Sequence, residues 1–235
     1  MIEAVIFDWG GTLSHYAEIE LADMWTLAAR QLAEETGRDP DALHRALVAG
    51  EQRYWQGVNE SQRTGTLGDI LRAESEALGL DVTAAVISEV AQRHLDAWTP
   101  HIQHHADAVE ALRALRAQGI KIGLLSNTHW PDSFHEHFLA RDGLDVLIDV
   151  RAYTSNMPFS KPHPEAFQHV LDALGVAAGN AVMVGDRPRD DVWGGQRVGM
   201  RGVWRPHAHS PELADVKPDA IIQALSELPA LTARW

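Results

Sequence analysis

The chain of 235 residues contains no cysteine. Disulfides, thiolate nucleophiles and cysteine-ligated zinc or iron–sulfur centres are therefore excluded. Lysine is scarce, with only Lys121, Lys161 and Lys217, and basic residues as a whole number 20 against 33 acidic ones. The resulting formal net charge of −13 argues against a nucleic-acid or anionic-membrane surface, either of which needs a basic face. No apolar run approaches the ~18 residues of a membrane span. The N-terminus lacks a basic region followed by an apolar signal core, so a cytoplasmic protein is expected. Hydrophobic residues at 45% exclude a disordered chain.

Two kinds of sequence alternate. Short β-rich runs occur at Ala4–Phe7, Ile120–Leu125, Val146–Ala152, Ala181–Val184, Gly202–Trp204 and Ala220–Ile222. Helical candidates at Ala106–Gln118, Asp132–Ala140, Pro164–Leu174 and Asp191–Val198 lie between them. Apolar strands alternating with helices predict an α/β core, a Rossmann-like, mostly parallel sheet covered on both faces. Ligands of such sheets bind beyond the carboxyl ends of the strands.

Residues 15–99 are strand-poor and rich in Ala, Leu, Glu, Gln and Arg. Leu21, Trp25, Ala28 and Leu32 follow a helical period, with Gly37 as a stop. Asp39-Pro40 opens a second helix, Thr66 with Asp69 caps a third, and Asp81 is the expected cap of a fourth. Asn59–Gly65 is the most loop-like stretch. The expected organisation is a core of residues 1–14 and 100–235 with a helical insertion at 15–99.

Four strand ends carry chemistry. The first gives Asp8-Trp9-Gly10-Gly11-Thr12, a carboxylate followed by glycines that let backbone N–H groups approach an anion. The second gives Ser126-Asn127, donors at a helix start. Ser160-Lys161-Pro162 fixes a lysine in a rigid frame, where it can neutralise an anion or hold a carboxylate charged. Gly185-Asp186 with Asp191 brings further carboxylates to the same sheet edge, as a hard-cation site requires. Each alone also reads as an ordinary turn, helix cap or surface charge.

Taken in order, these motifs resemble those of the haloacid-dehalogenase-like hydrolase superfamily. The resemblance covers residues 1–205 and accounts for a helical cap directly after the first motif. It implies Mg²⁺-dependent phosphotransfer on a small phosphorylated molecule by a monomer or homodimer. Asp8 would be the nucleophile, and Gly11, Thr12, Ser126, Asn127 and Lys161 would hold the phosphoryl group. Asp8, the Gly10 carbonyl, Asp186 and Asp191 would hold the metal.

One position departs from the pattern. Most phosphatases of the superfamily have a second Asp two positions after the nucleophile, and this chain has Gly10 there. General acid–base help worth ~10²–10⁴-fold is what such a change removes. His15, at the expected hinge, is a candidate replacement. The alternatives are a phospho-ligand binder without efficient turnover, or a carbon–phosphorus hydrolase. The first motif is similar to those of phosphoglycolate phosphatases and phosphonoacetaldehyde hydrolases, but residues 15–99 contain no lysine for a Schiff base, which disfavours the latter. Hydrolytic dehalogenation is disfavoured too, because it needs no metal and the Asp186 and Asp191 set looks built for one.

Arg53, Tyr54 and Trp55, with Arg63, are candidates for substrate contact from the cap, as is Arg187 from the last motif. Arg189 is a candidate beside Arg187, and the two read equally as a solvated cluster with Asp190. Trp25 reads as buried helix stripe and Trp130 as lining for the mouth of the site. His101, His104 and His105, and His207 with His209, lack an evident completion of a zinc tetrahedron and are expected not to be ligands.

Overall fold

The computed structural model describes residues 1–213 and 215–235. Six strands form one sheet: β1 (Ala4–Phe7), β2 (Lys121–Ser126), β3 (Val150–Tyr153), β4 (Ala181–Gly185), β5 (Arg201–Trp204) and β6 (Ala220–Ile221). Their order is β3-β2-β1-β4-β5-β6, with every pairing parallel. Chain order therefore runs outward from β1 through β2 to β3, then returns to the far side of β1 and runs outward again. Such a reversal leaves a crevice at the carboxyl end of the central strands, and Asp8 stands there, one residue past β1.

Strand alternation assigns the faces. Val5 and Phe7 join a core that includes Leu112 and Leu115 of α5 (Ala108–Ala117) and Phe138 and Leu139 of α6 (Asp132–Arg141). Ala4 and Ile6 face the other way, against Phe167, Val170 and Leu171 of α7 (Pro164–Leu174). With both faces covered, β1 is buried at all four positions, as its unbroken apolar run requires.

Residues after β1 form four helices: α1 (Thr26–Thr36), α2 (Pro40–Ser61), α3 (Leu67–Ala77) and α4 (Ala84–Trp98). α1 packs on α2 and α4, and α3 packs on the same two, around Leu32, Leu43, Leu47, Leu71 and Val90. Gly37 closes α1 in the left-handed conformation, Asp39 caps α2, and Thr66 with Asp69 forms a reciprocal capping box on α3. The remaining short helices are α8 (Gly194–Arg197) and α9 (Leu228–Thr232). Among the described residues, no helix is long and apolar enough to cross a membrane.

Several local expectations are corrected. The strand expected from Val146 starts only at Val150: Asp145–Leu147 is a 3-10 turn, and Asp149 takes the Ile122 N–H on its side chain instead of in a ladder. Thr83, not Asp81, caps α4, because its hydroxyl reaches the Val86 N–H. α2 persists to Ser61, so only Gln62–Gly65 of the expected loop is irregular. Leu21 lies in a 3-10 turn and is exposed, outside the buried stripe of Trp25, Ala28 and Leu32. The helix expected over Asp191–Val198 is instead a π-type turn at Pro188–Trp193 running into α8.

Candidate active site

The carboxyl ends of β1, β2 and β4 bring Asp8, Ser126 and Asp186 together, and the turn before α7 adds Lys161. All four are buried and line one cavity of about 230 Å³. Lys161 Nζ donates to Asp8 Oδ1 and to Asp191 Oδ1, each at 2.7 Å. Burial alone would lower the Lys161 pKa, but the carboxylates of Asp191 and Asp8 outweigh it and raise the pKa, so the ammonium stays charged. Burial pushes the Asp8 carboxyl up to about 6 and that of Asp191 to about 7, against the pull of Lys161.

Asp191 reaches this position because the chain turns tightly after β4. Its second oxygen, Oδ2, accepts the Arg187 N–H at 2.9 Å, across the π-type turn. Its side chain packs on Gly185, where a Cβ would stand 2.1 Å from Asp191 Cγ. Only glycine fits beneath this carboxylate. Each Asp191 oxygen thus already accepts one hydrogen bond.

Asp186 is fixed from three sides. Its Oδ1 accepts from Thr12 Oγ1 at 3.5 Å, its Oδ2 lies 3.0 Å from His207 Nε2, and its backbone carbonyl accepts from Trp204 Nε1 at 2.9 Å. Arg205, just past β5, donates from Nη1 to the Gly11 carbonyl at 3.0 Å, pinning the first loop from beneath. Oxygens of Asp8, Asp186 and Asp191 lie within 4.8 Å of one another. Lys161 pairs with only two of these three buried carboxylates, and their converging oxygens could hold a metal ion.

Other expected residues fall on both sides of the line. Gly10, Gly11, His15, Trp55, Asn127 and Arg187 border the cavity. The Asn127 side chain, however, is spent on the Lys161 backbone: Oδ1 accepts from its N–H and Nδ2 donates to its carbonyl, both at 2.9 Å. It positions the lysine, with one of its two Nδ2 hydrogens spent on that contact. Thr12 is fully buried and turned to Asp186, outside the lining. Arg53 pairs with Glu74 at 2.6 Å, tying α2 to α3, and does not border the cavity. Tyr54 bonds the Gly65 carbonyl, and Arg63 lies over Phe159, also away from it. Arg187 pairs with Asp190 at 3.7 Å at the cavity rim. His15 lies tilted against His105, with ring centroids 3.8 Å apart.

The rest of the lining is markedly aromatic: Trp9, Trp55, Trp98 and Trp130, with His129 and His135. Trp9 is oriented by a relay. Its Nε1 donates to His104 Nε2 at 3.0 Å, and His104 Nδ1 faces Asp142 Oδ2 at 2.6 Å. That pattern requires the Nδ1–H tautomer of a neutral imidazole, and burial keeps His104 below its ordinary pKa. His104 thus serves as a positioning group. Sequence reasoning missed His207, Arg205, Glu51, Trp98 and His129; their partners are remote in sequence, and no spacing signals them.

Comparison with known proteins agrees with this geometry. The haloacid dehalogenase-like hydrolase family matches residues 2–199, and the chain belongs to it. It is 27% identical over 204 residues to a glyceraldehyde 3-phosphate phosphatase of Methanopyrus kandleri, covering 85% of this chain and 82% of that one. It is 32% identical over 124 residues to a phosphoserine phosphatase of Thermus thermophilus, covering 53% of this chain but only 49% of the relative. The chain thus spans about half of that phosphoserine phosphatase. Among solved structures, a 2-haloacid dehalogenase from Pseudomonas syringae superposes over 100% of both chains with a TM-score of 0.75 and 27% identity.

Proposed function

We propose that this haloacid dehalogenase-like hydrolase is a Mg²⁺-dependent phosphatase of small phosphorylated metabolites, working through an aspartyl-phosphate on Asp8. The observation that carries this reading is the charge balance at the strand ends: three buried carboxylates converge, only two of them paired with Lys161, and together they call for a divalent cation. Asp8, the Gly10 carbonyl and Asp186 would hold Mg²⁺, with Asp191 supporting from behind Lys161. When bound, the ion supplies positive charge that offsets repulsion between the Asp8 carboxylate and an incoming phosphate.

The chain's own residues do the remainder. Asp8 attacks phosphorus with a carboxylate oxygen, and Lys161 and Ser126 grip the phosphoryl oxygens as charge develops. Water then cleaves the aspartyl-phosphate. The helices of residues 15–99 act as a cap over a core formed by 1–14 and 100–235, excluding bulk water and selecting the substrate through the tryptophan-rich wall. Because Gly10 supplies no acid, the preferred substrates have leaving groups that depart without a proton, such as acyl or aryl phosphates.

The aromatic wall and the missing acid would equally suit expulsion of a halide, which needs no protonation. The two reactions separate cleanly. The test is a panel of phosphate esters and acetyl phosphate, with 2-chloropropionate alongside, assayed with and without Mg²⁺ in isotopically labelled water. Phosphate release that needs Mg²⁺ and places the label in phosphate is the expected result. Chloride release without Mg²⁺, with label entering the Asp8 carboxylate, would identify a dehalogenase instead. No release of either product, with phosphate still bound, would leave a ligand-binding protein.

A further inference from the structure

A second group of metal-ligating side chains meets beneath the helical block, apart from the strand-end carboxylates. Glu51 comes from α2, His94 from α4 and His129 from the loop after β2. A carboxylate oxygen and one nitrogen from each imidazole lie within 4.8 Å of one another. His94 is fully buried and His129 nearly so; among the described residues neither His129 nitrogen has a hydrogen-bond partner, and His94 has at most a poorly formed one to the Met24 backbone. We propose that Glu51, His94 and His129 bind a divalent transition-metal ion of the zinc kind, at a site distinct from that of Asp8.

The donor set selects the ion. Two imidazoles and a carboxylate suit zinc and its neighbours, whereas Mg²⁺ favours oxygen ligands throughout. The spacing agrees. Bonds of about 2.0–2.2 Å at tetrahedral angles put ligand atoms about 3.3–3.6 Å apart, and His129 Nε2 stands 3.4 Å from Glu51 Oε1. These two atoms are near neighbours without being hydrogen bonded, as expected of atoms aimed at a common point.

The surroundings orient the carboxylate and keep both imidazoles neutral, although burial raises the Glu51 pKa against the pull of its hydrogen bonds from Trp25 and Trp55. Trp25 Nε1 donates to Glu51 Oε2 at 2.7 Å, leaving Oε1 towards His129. An outer contact of that kind orients a ligating carboxylate. Burial holds His94 down to about 3 and His129 well below its usual range, so both imidazoles keep their lone pairs free at neutral pH. Neutral packing alone leaves both His129 nitrogens unsatisfied and His94 without a well-formed hydrogen bond, which folded proteins rarely tolerate.

Position gives the site its role. The Leu67 N–H already donates to the His129 carbonyl at 2.7 Å, joining the start of α3 to the loop after β2. An ion on Glu51, His94 and His129 would add α2 and α4 to that junction, pinning the helical block to the sheet. Glu51 and His129 also border the catalytic cavity, which places the site beside it.

The test reads metal binding rather than activity, so its outcome is independent of the phosphatase proposal. Chelator-stripped Asp186→Asn protein, in which the strand-end site is weakened, is titrated with Zn²⁺ and Co²⁺. Zinc-edge X-ray absorption then counts the imidazole ligands. One equivalent of zinc with two imidazoles, and a Co²⁺ adduct with the intense visible absorption of a low-coordinate ion, is the expected result. Adding Glu51→Gln or His94→Gln should weaken zinc binding at least ~10-fold while circular dichroism stays unchanged. Zinc without imidazole ligands in Asp186→Asn, or unaltered affinity after Glu51→Gln, would overturn the proposal. Should a histidine variant fail to fold, the imidazole count in the Asp186→Asn protein decides alone.

Discussion

The Lys161 ammonium stands 2.7 Å from Asp191 Oδ1, the same distance that separates it from Asp8 Oδ1. One lysine thus bridges the first and last carboxylates of the strand-end cluster, with its side chain 1% exposed. A buried charge held on both sides is costly to unpair: removing one member of such a group typically costs about 3–5 kcal/mol.

Lys161→Met therefore leaves Asp8 and Asp191 facing each other without a counter-charge. Urea denaturation should show a loss of about 3–5 kcal/mol, and phosphate release should fall about 10²–10³-fold with the anion's main electrostatic partner gone. A stability change below about 1 kcal/mol would mean that the triad carries little of the folding energy.

Gly185→Ala tests the seat of Asp191. The added methyl would lie 2.1 Å from Asp191 Cγ, and that side chain is held by both Lys161 and the Arg187 N–H. Displacement by about 1 Å is enough to cost about 10²-fold in rate. Activity within twofold of wild type, in a variant with an unchanged circular dichroism spectrum, would show that Asp191 need not sit there.

Gly10→Asp should restore the missing acid. A Cβ at Gly10 meets nothing within 4 Å, and the position borders the cavity, so the carboxylate has room. Turnover of alkyl phosphates, whose leaving oxygen needs a proton, should rise by about 10–10³-fold, with little change for acetyl phosphate. Equal effects on both substrates would contradict the assigned role of this position.

His135→Phe should change how stability depends on pH. The unfolded histidine takes a proton near 6.5, whereas burial keeps the folded one from doing so until about 4. Acidification between those values therefore favours the unfolded wild type, and the variant escapes that penalty. Denaturation at pH 7 and pH 5 should show the difference between the proteins moving by about 2 kcal/mol in favour of the variant at the lower pH. A pH-independent difference would show that His135 takes up its proton as readily in the folded protein as in the unfolded one.

Much of this architecture is legible in sequence because it rests on short-range rules. The apolar run Ala4–Phe7 ending at Asp8, the Asp39-Pro40 cap and the Thr66–Asp69 box all act within a few residues. The strand error at Val146 arose because apolar residues signal β structure whether or not a ladder partner exists; Val146 is 75% exposed. The roles of Asn127, His104 and His207 depend on partners 34, 38 and 21 residues away, and no local pattern encodes those contacts. Arg53 looked like a substrate contact because Tyr54 and Trp55 adjoin it, yet helical geometry sends neighbouring residues to different faces. Trp55 reaches the cavity and Arg53 turns to Glu74. The Glu51–His94–His129 cluster joins two helices and a loop, so it emerges only once they pack.

The most direct test of the central claim compares wild type with Asp8→Asn for Mg²⁺-dependent phosphate release from acetyl phosphate, a substrate that needs no leaving-group acid. The account predicts turnover in wild type that is abolished by chelation and absent from Asp8→Asn, with the variant still folded. Phosphate release by Asp8→Asn at the wild-type rate would contradict it, because the attacking oxygen would then belong to another group.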